Sequence, residues 1–496
     1  MKYLVIIFPA LLFLSLTGND KEIKRIEKAL SYIDTASLMQ TVCALSADSS
    51  QGRLPGSNGY NKSASFAANK LSQLMPFGTE GYFQNFNIEY NEITGPVDLV
   101  VFNKDKVKHE LIIGQDYICR GYTGSGKIYA PVVFCGYGLS YPDIGYDDYA
   151  SVNVKGKIVL IFKQNPSWKI PRIDWPTFSI RSKAKTAFEH GAAAVLFVSI
   201  PNSLNPQKPI GSMMDGEGEQ LLSVPQLQIS SQAADLLLNS DFLTISKLQT
   251  QIDSTEIPQS VELSSTAFVE VQANYFKEKP TMNIVGKLEG QDASLKDEYI
   301  IIGAHIDHVG SQAGKIFFPG ANDNASGSAA VMQIAQAYLK AKIKTKRSII
   351  FALFACEEHG LDGAKYFAEH LNIPIEKVVA MINLDCIAFG DSIQVGGGKS
   401  SPVLYKIAQE MDSKYTKQLT NKTWYGGGAD AQPFFEKGIP TLYFVSLNSY
   451  SHLHLPTDKP ETLNKELFQK ITQLAFLVSM EIVNGSYQKE SIKKQE

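Results

Sequence analysis

Four apolar runs in the C-terminal half, YIIIGA (299–304), SIIFALFA (348–355), VVAMINL (378–384) and TLYFV (441–445), limit the fold more than any other feature. They read as strands, and helical patterns separate them. From Ser326 to Leu339, for example, Val331, Ile334, Ala335, Tyr338 and Leu339 fall on one face. Buried strands alternating with amphipathic helices predict an α/β domain with a mostly parallel or mixed central sheet flanked by helices.

Ligands bind such sheets beyond the carboxyl ends of the strands, so the residues that follow each run carry information. The first run is followed by His305, Ile306, Asp307 and His308, the second by Cys356, Glu357 and Glu358. The third is followed by Asp385, and the fourth by a loop carrying His452 and His454. Asp323 lies just before a predicted helix. Each has an ordinary explanation on its own: a strand end, a turn, a surface loop, or for Asp323 an N-cap. Together they are harder to dismiss, because Glu357 and Glu358 repel each other and need either water or a cation opposite them. Imidazole and carboxylate suit Zn²⁺, and no thiolate set competes. Asp307, two residues after His305, fits a carboxylate that orients a ligating imidazole. So many carboxylates oversupply negative charge to one divalent ion, and two ions sharing a bridging carboxylate would balance it.

With 496 residues the chain is long enough for two domains, and 44% hydrophobic content gives it a sizeable core. A net charge of -3 offers no electrostatic case for nucleic acid or an anionic membrane as partner. Met1–Lys2, an apolar run from Leu4 to Leu16 and small residues up to Gly18 have the layout of a secretory leader over 1–18, which implies export to a periplasm or to the outside. The apolar part is shorter than the roughly 20 residues that span a bilayer. Five scattered cysteines form no CxxC pair or disulfide framework, and none lies near the leader's end to take a lipid. Cys356 and Cys386 read as buried free thiols. Over 116–268 short β-rich runs such as PVVFCGYG and GKIVLIF alternate with Pro- and Gly-rich loops, which marks an inserted domain. The loop NPSWKIPRIDWP reads as solvated rather than as a lid. The tail, 487–496, is expected to be disordered.

GAHIDHVG, GANDNASGSAAV, ACEEHGLDGAKYF, MINLDCIAFG and HLPTD resemble, in order and approximate spacing, the five signature blocks of the co-catalytic di-zinc aminopeptidases. That family includes bacterial leucyl aminopeptidase and aminopeptidase Y and is related to glutamate carboxypeptidase II. GRLPGSNGYNKSASFAANKL resembles the family's N-terminal segment, and GKIVLIF with AFEHGAAAVLFV resembles its inserted protease-associated (PA) domain. The resemblance implies a zinc exopeptidase fold built from 19–115 and 269–486, with the PA domain at 116–268. It implies two zinc ions per chain: His305 and Asp385 on one, Glu358 and His454 on the other, Asp323 bridging. Glu357 would be the general base, and the substrates peptides with a free N-terminus. Leu453 stands where the family usually has Tyr, and Ala429 where Ser often precedes the aspartate. Asp430 is accordingly expected to support the site or the structure only, and whether His452 contributes is open. The same scaffold also serves a single-zinc glutaminyl cyclase, a carboxypeptidase for acidic C-terminal residues, and non-catalytic receptor-like proteins. The carboxypeptidase would need arginines at the site, and the strand-rich half supplies only Arg347, before a strand.

Overall fold

The computed structural model describes residues 20–169, 179–214, 216 and 218–495. The expected leader lies outside them, as does most of the NPSWKIPRIDWP loop.

The principal strands of the sheet are, in chain order, β1 (Phe83–Phe102), β2 (Tyr117–Cys119), β3 (Gly126–Phe134), β4 (Ile158–Phe162), β5 (Ala194–Val198), β6 (Gln226–Ile229) and β7 (Val261–Leu288). The predicted apolar runs follow as β8 (Tyr299–His305), β9 (Ser348–Phe354), β10 (Val378–Leu384) and β12 (Thr441–Ser446), with β11 (Ile393–Gly396) before the last. All belong to one mixed sheet, in the order β11-β12-β10-β8-β9-β7-β3-β4-β5-β6-β2, with β1 paired to β7. Strands β12, β10, β8 and β9 are mutually parallel, so their carboxyl ends share one edge. All four are wholly buried, which is why they read as unbroken apolar runs rather than alternating ones.

β1 and β7 explain how two cores coexist on one sheet. Their antiparallel ribbon runs from Thr266↔Phe102 to Ile284↔Phe83. The first part of β7 pairs with β3, and its last part pairs with β9. The chain thus leaves and re-enters the strand-rich half along one ribbon. On the far side β3, β4, β5 and β6 are parallel and form their own core with Phe134, Phe162, Leu196 and Leu227. On the near side, helix Gly327–Lys340 and the 20-residue helix Lys465–Asn484 cover the sheet. N-terminal helices Thr35–Leu45 and Asn58–Leu71 join the same core, and the Tyr60 hydroxyl donates to the Met282 carbonyl at 2.7 Å.

The tail departs from its composition. Tyr487 is buried, and its carbonyl accepts from Arg347 at 2.8 Å. The Glu490 carboxylate accepts from the backbone N–H groups of Val403 and Leu404 at 3.0 and 2.9 Å, in the first turn of helix Pro402–Lys414. Lys493 N–H donates to Ser400 at 2.8 Å. A charged segment that could not build a core is held instead by the unpaired donors of a helix start.

Candidate metal centre

Each candidate ligand sits where regular structure ends. β8 terminates on His305, and the Ser328 hydroxyl holds the His305 carbonyl at 2.7 Å. β9 is peeled off by Asn283 of the neighbouring β7, whose side chain accepts from Ala355 N–H at 2.9 Å. The turn that follows carries Glu357 and Glu358, and their backbone N–H groups donate to Asp307 at 3.2 and 3.3 Å. Asp307 therefore fastens the Glu–Glu turn to the end of β8, and its carboxylate lies 3.6 Å from His305 Nδ1. Asp323 is not an N-cap. It lies in an irregular turn, Ala321–Ser326, ahead of helix Gly327–Lys340, which has no side-chain cap. Asn324 pins this turn through Gly327 N–H at 2.7 Å and the Leu384 carbonyl at 2.9 Å. Asp458 accepts from the N–H groups of Asn322 and Asp323 at 2.8 and 3.0 Å, which turns the Asp323 carboxylate toward the histidines.

Two clusters result, and Asp323 belongs to both: His305, Asp323 and Asp385 in one, His308, Asp323, Glu358 and His454 in the other. His305 Nε2 lies 3.2 Å from Asp385 Oδ1 and 3.4 Å from Asp323 Oδ1. His454 Nε2 lies 3.2 Å from Asp323 Oδ2 and 2.8 Å from Glu358 Oε2. Two ligand atoms each about 2.05 Å from one Zn²⁺ at the tetrahedral angle are about 3.3 Å apart, so the donor atoms fit the edges of such a coordination sphere. The two oxygens of Asp323 face different histidines. Glu357 stands at the rim with one fifth of its side chain exposed, and its Oε2 is 3.9 Å from His305 Nε2.

The charge balance calls for cations. Burial opposes protonation of His305, but Glu357, Asp385 and Asp307 outweigh it and hold the imidazole well above its ordinary value. At His454, Glu358 and Asp323 likewise overcome burial. Burial also works against the Glu358 carboxylate, yet His454 and His308 hold it well below the usual range. Glu357 moves the other way: burial, Asp385, Glu358 and Asp430 push it up against the pull of His305. Asp430 is fully buried, with neither carboxylate oxygen hydrogen-bonded, and burial with the neighbouring acids raises it too. Among the described residues the fixed cation buried beside these acids is Arg53, which burial lowers to about 10 while Asp323, Asp458, Asp307 and Glu358 pull it back. The donor set, its spacing and its surplus of negative charge all fit divalent metal.

His452 stays outside: its ring packs edge-on to Phe389 and bonds to Thr457. Leu453 is half-buried against Cys386, Tyr443 and Val445. Arg347 is spent on Glu298 and the carbonyls of Ile482 and Tyr487, away from the site. Arg181 is held on the Gly216 and Gly218 carbonyls. Cys356 and Cys386 are buried free thiols, as expected.

Three side chains escape sequence reasoning. His308 is fully buried and its Nδ1 lies 2.7 Å from Glu358 Oε1, leaving Oε2 to face His454. Its place as a second imidazole three residues after His305 was the available signal. Tyr443, inside β12, donates from its hydroxyl to Asp385 Oδ2 at 3.0 Å and orients Oδ1 toward His305; a tyrosine in an apolar strand gives no such hint. Arg53 lies far upstream of the four strand runs, and its position in the sequence gives no sign that it reaches the site. It is no receptor for a substrate carboxylate, since Nε and both terminal nitrogens donate to the carbonyls of Ile306, Leu45, Pro319 and Gly320 at 2.7–2.9 Å.

The chain is similar to known proteins over most of its length. Residues 283–479 match peptidase family M28, and residues 127–237 match the PA domain. The chain is 25% identical over 404 residues to aminopeptidase YwaD of Bacillus subtilis, covering 77% of this chain and 74% of the relative. It is 28% identical over 180 residues to leucine aminopeptidase 2 of Trichophyton equinum, covering 33% of each chain. Among solved structures, an aminopeptidase from Aneurinibacillus sp. strain AM-1 shares the fold with a TM-score of 0.65 at 21% identity, over 94% of this chain and 98% of that one. A peptidase M28 precursor from Shewanella amazonensis SB2B gives a TM-score of 0.68 at 19% identity, over 96% and 100%. The chain is a metallopeptidase whose residues 283–479 match peptidase family M28 and whose residues 127–237 match the PA domain.

Proposed function

We propose that the protein is an exported aminopeptidase that releases residues from the free N-terminus of peptides, using two zinc ions. His305 and Asp385 would hold one ion, Glu358 and His454 the other, and Asp323 would serve both. The observation that carries this reading is Asp323 itself, whose two oxygens face His305 and His454 separately at 3.4 and 3.2 Å. When bound, divalent ions at such a site supply Lewis acidity toward a carbonyl and lower the pKa of water. Glu357, at the rim and outside both clusters, takes the proton of the attacking water and passes it to the leaving amine. Asp307 keeps Glu357 in place through the backbone. The acidic rim also favours a substrate that brings a cationic amine, which supports action at the N-terminus. Catalytic parts 19–115 and 269–486 with an insert at 116–268 are supported by the β1–β7 ribbon. Export rests on the leader; among the described residues no helix is long and apolar enough to cross a membrane.

One peptide prepared free at both ends, N-acetylated, and C-amidated tests the reading, with products followed by mass. Chelator-sensitive stepwise loss from the N-terminus, blocked by acetylation and not by amidation, is expected. Loss from the C-terminus would instead identify a carboxypeptidase. Metal analysis should return two ions per chain, and a single ion would favour the cyclase-type arrangement.

His308 should matter as well. Removing the partner of a ligating carboxylate typically costs about 10–100-fold in metal affinity or activity. His308→Ala should therefore weaken zinc binding by about that factor, read by chelator competition. Affinity equal to wild type would mean that Glu358 needs no such support.

A further inference from the structure

His454 reaches the site from a long loop after β12, and its φ of +52° gives that loop little intrinsic preference for its course. Its restraint comes from the other domain. Gly211, in the loop between β5 and β6, donates its N–H to the His454 carbonyl at 2.9 Å. The Gly211 carbonyl in turn lies 3.2 Å from His454 Nδ1. A carbonyl can only accept, so Nδ1 carries the proton and Nε2 is the nitrogen presented to Asp323 and Glu358.

The Gly211 loop is itself seated against the metal-bearing loops. Met213 and Ile118 of the insert form a small buried cluster with Val309 and Phe318, which flank the His308 and Asp323 segments. Gln312 continues the contact: its side-chain amide accepts from Cys119 N–H at 3.0 Å and donates to the Cys119 carbonyl at 2.8 Å, extending the edge of β2. The seat is close enough to require glycine. A Cβ on Gly211 would stand 2.6 Å from Val309 Cγ2 and 3.0 Å from the Phe318 ring.

The geometry points to the PA domain as a working part of the metal centre: Gly211 is a positioning residue that fixes the tautomer and orientation of His454. This rests on His454 being a ligand, as proposed above. Support of this kind for a ligating histidine is commonly worth about 10–100-fold in metal affinity. The loss should fall on one ion alone, since among the described residues the hydrogen bonds and ion pairs of His305 and Asp385 go to groups outside the insert.

The test is stepwise zinc release from the intact protein to a chromophoric chelator, for wild type, Gly211→Ala and Met213→Ala, with the thermal midpoint of each zinc-loaded form. Gly211→Ala is expected to weaken one of two ions by about 10–100-fold and leave the other within about twofold. Met213→Ala, which loosens the seat without touching the bond, should weaken the same ion by about tenfold and serves alone if Gly211→Ala does not fold. Both ions held as in wild type would overturn the proposal. Equal weakening of both ions would also overturn it, because that marks a general disturbance. Failure of the site reading itself is told apart because it shows before any substitution, as wild type holding fewer than two ions.

Discussion

Glu357→Gln should bind zinc as wild type does and lose turnover by about 10²–10⁴, the usual contribution of a general base. Gln has the same shape, and the Asp307 bond that places residue 357 is made by its backbone. Glu357 also lies outside both ligand clusters, so metal content and thermal stability should be unchanged. What the amide cannot do is accept a proton. The wild-type carboxyl is suited to do so, because burial and the carboxylates of Asp385, Glu358 and Asp430 make it more basic than an ordinary glutamate. The measurement is kcat and KM on one N-terminally free peptide beside metal content. Turnover within about tenfold of wild type would assign the proton transfer elsewhere. Loss of an ion together with turnover would make Glu357 a ligand.

Arg53→Met should cost stability rather than chemistry alone. Arg53 is fully buried, yet even lowered to about 10 it is charged at neutral pH. Its guanidinium ties Leu45, Ile306, Pro319 and Gly320 together, and so joins the N-terminal helices to the segments before His308 and Asp323. Gly52, beside it, packs so tightly that a Cβ would stand 2.0 Å from the Gly310 carbonyl oxygen, and Gly310 N–H donates to Gly52 at 2.9 Å. Removing the cation leaves buried carbonyls without donors and takes away the fixed charge that acts on Asp323, Asp458, Asp307 and Glu358. Breaking a buried charge network in this way typically costs about 3–5 kcal/mol. That is a large share of the roughly 5–15 kcal/mol by which domains are stable. The thermal midpoint of the metal-free protein should fall by about 3–8 °C. Zinc should restore part of the loss by neutralising the same acids. Arg53→Lys should recover little, because one ammonium cannot reach carbonyls spread around a planar fork. A midpoint within about 2 °C of wild type would show that the acids do not depend on this cation.

The site was legible in the sequence to the extent that it depends on strand ends. An apolar run that stops at His305, at Glu357–Glu358 or before Asp385 announces both a buried parallel strand and the polar groups at its carboxyl end. Asp323 was ambiguous, because an aspartate ahead of a helix is ordinarily a cap. What turned it toward the histidines is Asp458, 135 residues away. His308 was in view but without a partner, and the roles of Tyr443 and Arg53 could not be read from spacing at all.

By itself, then, the sequence determined the α/β architecture, the inserted domain and the residue types gathered at one sheet edge, because periodicity and chain order are local properties. In the tail, where charge suggested disorder, Glu490 meets the start of a helix, a contact that could not be foreseen from the sequence. Only the tertiary structure decided which atom of each candidate ligand faces which. Tyr443 turns Asp385, His308 turns Glu358, Asp458 turns Asp323, and Gly211 of the other domain turns His454. The physical reason is the same in each case. A carboxylate or an imidazole has two chemically similar faces, and a partner brought from a distant part of the chain is what makes them different.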